Sequence, residues 1–146
     1  GWLGKKWSYN ALASYGSTKL DVNGVGLLRD VRSVESLSFA IEAARPLGNY
    51  NSNSIHIGLS QPLRVEQGNA EVMLPELYDS GGDLKFSSTS VDLSPSGRQI
   101  DLTVGYRANL NSSTVLSIQG AIAQDYGHQK SDSHVAAGVA SIKVKL

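Results

Sequence analysis

The densest group of metal-ligating side-chain types in the chain is Asp125, His128, Asp132 and His134. Carboxylates and imidazoles this close could hold a divalent cation. Their spacing matches no familiar ligand set, and the polar run 127–133 around them reads as a solvated turn. Serines are many and histidines three, but no Gly-x-Ser-x-Gly elbow exists to present a serine nucleophile. Gly24-Val25-Gly26 lacks the third glycine and the strand-to-helix setting of a phosphate loop. Asn111-Ser112-Ser113 is a formal glycosylation sequon, irrelevant if the source is bacterial. The chain has no cysteine, which removes thiol catalysis, thiolate metal sites and a disulfide-stapled fold. No enzymatic activity and no cofactor are expected.

What remains is a set of charged and polar residues, Glu42, His56, Arg64, Asp101 and Arg107, spaced through segments that alternate apolar and polar residues. Asn10 and Gln119 belong to the same polar positions. In a strand, successive side chains point to opposite faces, so each of these residues shares a face with other polar ones. Ile55, Ile57, Leu59, Leu63 and Val65 point one way, and His56, Gly58, Ser60 and Arg64 the other. The next residues, Glu66-Gln67-Gly68-Asn69, carry turn chemistry, and Ala70, Val72 and Leu74 resume the alternation. The expectation is a central β-hairpin reversing at 66–69.

The same pattern recurs along the chain. Residues 6–15 place Trp7, Tyr9, Ala11, Ala13 and Tyr15 on one face. Residues 17–26 read as a loop, tightest at Asp21-Val22-Asn23-Gly24. In 31–47, Leu37, Phe39, Ile41 and Ala43 oppose Ser36, Ser38, Ala40 and Glu42. Good helix formers make a helix over 34–44 the local competitor, but the serines and the period of two favour a strand that Arg45-Pro46 ends. Polar turns are expected at 48–53 and 79–82, with a short serine-rich strand at 84–93. Ser94-Pro95-Ser96-Gly97 is a turn in which proline presets φ. The clearest alternation is Ile100, Leu102, Val104, Tyr106, Ala108 and Leu110 against Asp101, Thr103, Gly105, Arg107 and Asn109. Asn111-Ser112-Ser113 turns the chain into Leu116, Ile118, Gly120 and Ile122, which Tyr126 closes. The last strand, 135–146, sets Ala140, Ile142, Val144 and Leu146 against Ser141, Lys143 and Lys145.

The fold class is all-β: an antiparallel up-and-down barrel of about eight strands, each roughly 9–13 residues long, against a usual strand length nearer 5–6. At 146 residues a single domain is the simplest reading. Net charge is zero and the pI is near 7.0, so no basic surface points to nucleic acid. No apolar run approaches the roughly 18–20 residues of a membrane helix, which leaves strands as the means of crossing a bilayer. Trp7, Tyr15, Tyr106 and Tyr126, near strand ends, fit the aromatic girdles of an outer-membrane barrel. The polar residues would then fill the lumen, where opposite charges must pair or meet water. A soluble barrel or sandwich that binds an apolar ligand or a protein inverts the two faces, and its setting would be periplasmic or secreted. Alternation alone does not separate inside from outside.

Particular segments carry a resemblance. Gly58-Leu-Ser-Gln-Pro-Leu-Arg-Val-Glu66, Ala70-Glu-Val-Met-Leu-Pro75, Val91-Asp-Leu-Ser-Pro-Ser-Gly-Arg-Gln-Ile-Asp-Leu102 and Gly105-Tyr106 resemble the C-terminal barrel of autotransporters, closest to those with subtilisin-like serine peptidase passengers. The resemblance covers residue 29 onward. It implies a translocator in the outer membrane of a Gram-negative bacterium, with lipid, a passenger domain and the barrel assembly machinery as partners. Such barrels have about twelve strands, so the chain corresponds to the C-terminal part of one or to a reduced relative. They commonly end in an aromatic residue, where this chain has Leu146. No peptidase residue carries over.

Overall fold

In the computed structural model, residues 7–20, 26–48, 53–78 and 81–145 are described. They form eight strands: β1 (Ser8–Leu20), β2 (Leu28–Leu47), β3 (Asn53–Gln67), β4 (Asn69–Tyr78), β5 (Leu84–Asp92), β6 (Ile100–Asn109), β7 (Thr114–Gln124) and β8 (His134–Val144). A 3-10 turn, Tyr126–His128, sits between β7 and β8. The fold is all-β and antiparallel. Strand order is β5-β4-β2-β3-β6-β7-β8, with β1 on β2.

Residues 34–44 lie inside the 20-residue β2, so alternation overrides the helix propensity of its Ala, Leu and Glu residues. β1 reaches Leu20. Residues 17–20 of the loop expected over 17–26 are therefore strand, and its tightest turn, 21–24, lies outside the described residues. The turns at 48–53 and 79–82 are described only in part, with Gly48 and Gly82 both at positive φ.

The hairpin expected at 66–69 does not form. β3 and β4 do not pair with each other; both neighbour β2. A tight hairpin needs residues at positive φ, and none of Glu66, Gln67, Gly68 or Asn69 has one. Gly68 alone interrupts the extended chain. The flanking ladders agree with this: β3 on β6 runs from Asn53↔Ala108 to Ser60↔Asp101, and β4 on β5 runs from Asn69↔Asp92 to Pro75↔Phe86. Every pair in these stretches has the same sum of residue numbers, so neither partner gains or loses a residue between them. Likewise β5 and β6 are not a hairpin. Residues 93–99 leave the strand path between them. Pro62, which has no N–H to donate, follows the last β3–β6 pair and helps end that ladder.

The chain divides into two compact units. One comprises residues 1–13, 38–62 and 96–146, and holds the β3–β6–β7–β8 ladder. The other comprises residues 14–37 and 63–95. In the second, Val31 and its β2–β4 partner Ala70 are buried. In the first, the buried apolar residue is Ala108, and the most enclosed side chain is Gln61, 1% exposed.

Candidate membrane-facing surface and its polar counterface

Registers in the first unit sort side chains into cross-strand rows. One face carries Leu59–Leu102–Ile122–Ala136, then Ile57–Val104–Gly120–Gly138, then Ile55–Tyr106–Ile118–Ala140, then Asn53–Ala108–Leu116–Ile142. It is almost wholly apolar, and it faces outward. Leu59, Leu102, Ile57, Val104 and Ile142 are exposed, while Ile118 and Ile122 are about half exposed (48% and 50%). Gly120 leaves a shallow apolar hollow over β6, β7 and β8, walled by Leu102, Val104, Ile122 and Ala136. Contiguous apolar surface of this kind marks a site that another apolar phase or partner covers.

The opposite face holds Ser60–Asp101–Ala123–Val135, Gly58–Thr103–Ala121–Ala137, His56–Gly105–Gln119–Val139 and Ser54–Arg107–Ser117–Ser141. On β3, β6 and β7 it is polar or small, while β8 adds the exposed Val135 and Val139. Its middle is more enclosed than the apolar face, with Gly105 buried and His56, Gly58, Ser60, Asp101 and Thr103 half-buried. Two neighbouring rows share a device. The His56 imidazole lies against Gly105, and Thr103 Oγ1 leans over Gly58, 2.5 Å from where a Cβ would stand. Each pair sets one side chain flat against a partner without one, which keeps the polar face thin.

The charged residues singled out from the sequence are divided between the two units, with Arg64 in the second and Glu42, His56, Asp101 and Arg107 in the first. Arg64, in the second unit, pairs with Glu66 at 2.9 Å and donates to the carbonyls of Pro95 (2.9 Å) and Val65 (3.2 Å). Residues two apart on a strand share a face, so this pair is local to β3. Asp101 accepts from Gln99 Nε2 at 2.8 Å. Arg107 and Glu42 are exposed, and Glu42 borders a small polar cleft with Ser8, Tyr9 and Asn10. Of the aromatic residues, Tyr15 and Tyr126 are well exposed, Trp7 is at the margin of exposure and Tyr106 is half-buried.

A second cluster joins residues 96–99 to the loop after β7. Gly97 N donates to His128 O at 2.8 Å, and Gln99 N donates to His128 Nδ1 at 3.0 Å. Gln99 Oε1 accepts from Gly127 N at 2.8 Å, and Arg98 Nη1 donates to Gln61 Oε1 at 2.6 Å. Asp125 takes the Ser131 and Arg98 N–H groups on its two oxygens, at 3.1 and 3.3 Å. Those bonds, Ser131 first, hold its carboxyl below the usual carboxylate range. Asp125, Gly127 and His128 all take positive φ. Asp125 and His128 therefore act as backbone acceptors in a folded loop, and among the described residues no group of three or more His, Cys, Asp or Glu side chains is placed to hold a metal. Sequence reasoning missed Gln61 and Gln99, and took Arg98 as part of an architectural turn with Pro95. The Ser-Pro-Ser-Gly run beside Arg98 marked the segment but not its partner.

Comparisons with known proteins add no relative: no family model, no curated protein and no solved structure matches the chain.

Proposed function

We propose that the chain is a membrane-spanning segment of an outer-membrane β-barrel that anchors a passenger domain and supports its export, in the manner of an autotransporter translocator. One observation carries the reading: on β3, β6 and β7 the apolar rows are more exposed than the polar rows behind them. A soluble β-protein places these faces the other way round. Strand length supports it. β6, β7 and β8 have 10, 11 and 11 residues, and a tilted strand needs about 9–11 to cross the hydrocarbon core. The autotransporter-like segments around Gly58–Glu66 and Val91–Leu102 supply the translocator part of the proposal. The polar rows would line a wetted interior, and no residue is assigned a catalytic role.

The absence of cysteine makes the test clean. Single substitutions Ile118→Cys and Ile122→Cys on the apolar face, and Gln119→Cys and Ala121→Cys on the other, are placed in the protein folded into lipid vesicles. The reading expects a bilayer-dissolved maleimide to label the first two and a water-soluble maleimide the second two. Labelling of all four by the water-soluble reagent contradicts it.

A further inference from the structure

The apolar alternation of β2 runs through Leu37, Phe39, Ile41 and Ala43, and the next residue on that face is Arg45. Ile41 is half exposed, and Leu37, Phe39, Ala43 and Arg45 are half-buried. A cation closing an apolar stripe is costly unless it reaches water or a counter-charge. Among the described residues Arg45 meets no carboxylate and makes no hydrogen bond, and its Nε is enclosed without a partner. Its guanidinium carbon lies 5.8 Å over the ring of Trp7. Trp7 in turn stacks on Tyr9, with centroids 6.5 Å apart and planes inclined by 23°. Trp7 immediately precedes β1, and Arg45 stands two residues from the end of β2. The cluster therefore occupies strand ends within one compact unit.

The three residue types have one chemistry in common. Tryptophan and tyrosine settle where an apolar phase meets a wet one. A guanidinium whose flat face is covered by an indole keeps its edge for donating, and that edge matches a phosphate through two parallel N–H···O bonds. We propose that Arg45, framed by Trp7 and Tyr9, is a site for the phosphate of an anionic phospholipid headgroup at the membrane surface. The inference rests on the membrane reading above and names the lipid chemistry that this end of the sheet selects.

The test uses the full chain folded in nanodiscs of phosphatidylcholine with a minor share of phosphatidylglycerol. The lipids that stay on the protein when the disc is disrupted are counted by native mass spectrometry. Wild type is expected to retain phosphatidylglycerol above its share. Arg45→Gln is expected to reduce that enrichment about fivefold, the scale of one cation at an anionic surface. Arg45→Lys keeps the charge without the fork and is expected to retain only part of it. Arg32→Gln, on the same strand in the other unit, is expected to leave it unchanged. Equal enrichment in Arg45→Gln and wild type overturns the site while the membrane reading stands. Loss of the enrichment when inorganic phosphate is added shows a site for a free anion and overturns the lipid assignment. Failure of the wild type to enter the disc overturns the membrane reading, and the site with it.

Discussion

The imidazole of His56 lies across Gly105, its direct partner in the β3–β6 ladder, where any Cβ would overlap the ring. Glycine is weak in a strand interior, and a larger cross-strand neighbour that covers it offsets the loss. Gly105→Ala is therefore expected to destabilise the folded state by about 1–3 kcal/mol, the usual cost of overpacking. His56→Ala should relieve that clash, so the double variant should be more stable than the two single costs predict. Urea midpoints of the four proteins, read by circular dichroism, check this. Additive effects would show that the ring does not occupy the space over Gly105.

Gly97 packs as closely against backbone. A Cβ there would stand 2.5 Å from Lys130 N and 2.7 Å from Gln129 C, so the 125–131 loop must move to admit one. Gly97→Ala is expected to loosen that loop and raise the rate of tryptic cleavage after Lys130 several-fold, following the opened population. An unchanged rate would mean that residues 96–99 and 128–130 are not packed together.

Asp125 makes the same loop sensitive to acid. Its folded-state carboxyl is held below its ordinary range by the Ser131 N–H, then by the Arg98 N–H, with the charges of Lys130 and His134 adding to them. A carboxyl depressed on folding contributes stability that is complete above its unfolded value of about 4 and is lost as pH falls through the folded value. Hydrogen exchange at the Ser131 and Arg98 amides, corrected for intrinsic rates, should accelerate below about pH 4. Asp125→Asn should make exchange at those amides independent of pH in that window. Slow exchange at low pH in the wild type would contradict the account.

The apolar rows make a prediction about charge. Lysine at the lipid face of a barrel near mid-bilayer costs about 2–4 kcal/mol. Ile118→Lys and Ile122→Lys should lose that much on urea titration in bilayers. Gln119→Lys, on the counterface, should lose about 1 kcal/mol or less. Equal losses at the three positions would remove the distinction between the faces.

Alternation made the strands legible, and it did so best where one face is uniformly apolar, as in β6 and β7. It did not reveal direction. Glu66-Gln67-Gly68-Asn69 has the residue types of a reversal, but reversal depends on positive φ, and Gly68 does not adopt it. The composition of a turn is thus weaker evidence than its dihedrals. Nor did alternation say which face is the more exposed; that came from the exposure of Leu102, Val104, Ile118 and Ile122 against the buried Gly105 and the half-buried His56, Asp101 and Thr103. The partner of Arg64 was within reach of sequence reasoning, since Glu66 shares its face at the period of two. The ties from residues 96–99 to His128 and Asp125 were not, because they join loops 27 to 31 residues apart through backbone donors that carry no residue-type signature.

The most direct measurement on the membrane proposal is the folding of the chain with and without detergent, followed by mobility in SDS gels before and after boiling. The account predicts aggregation in plain buffer and, in detergent, a folded band whose mobility shifts on heating. A monodisperse, folded β-protein in plain buffer would place the rows of Leu102, Val104, Ile118 and Ile122 away from solvent and contradict the account.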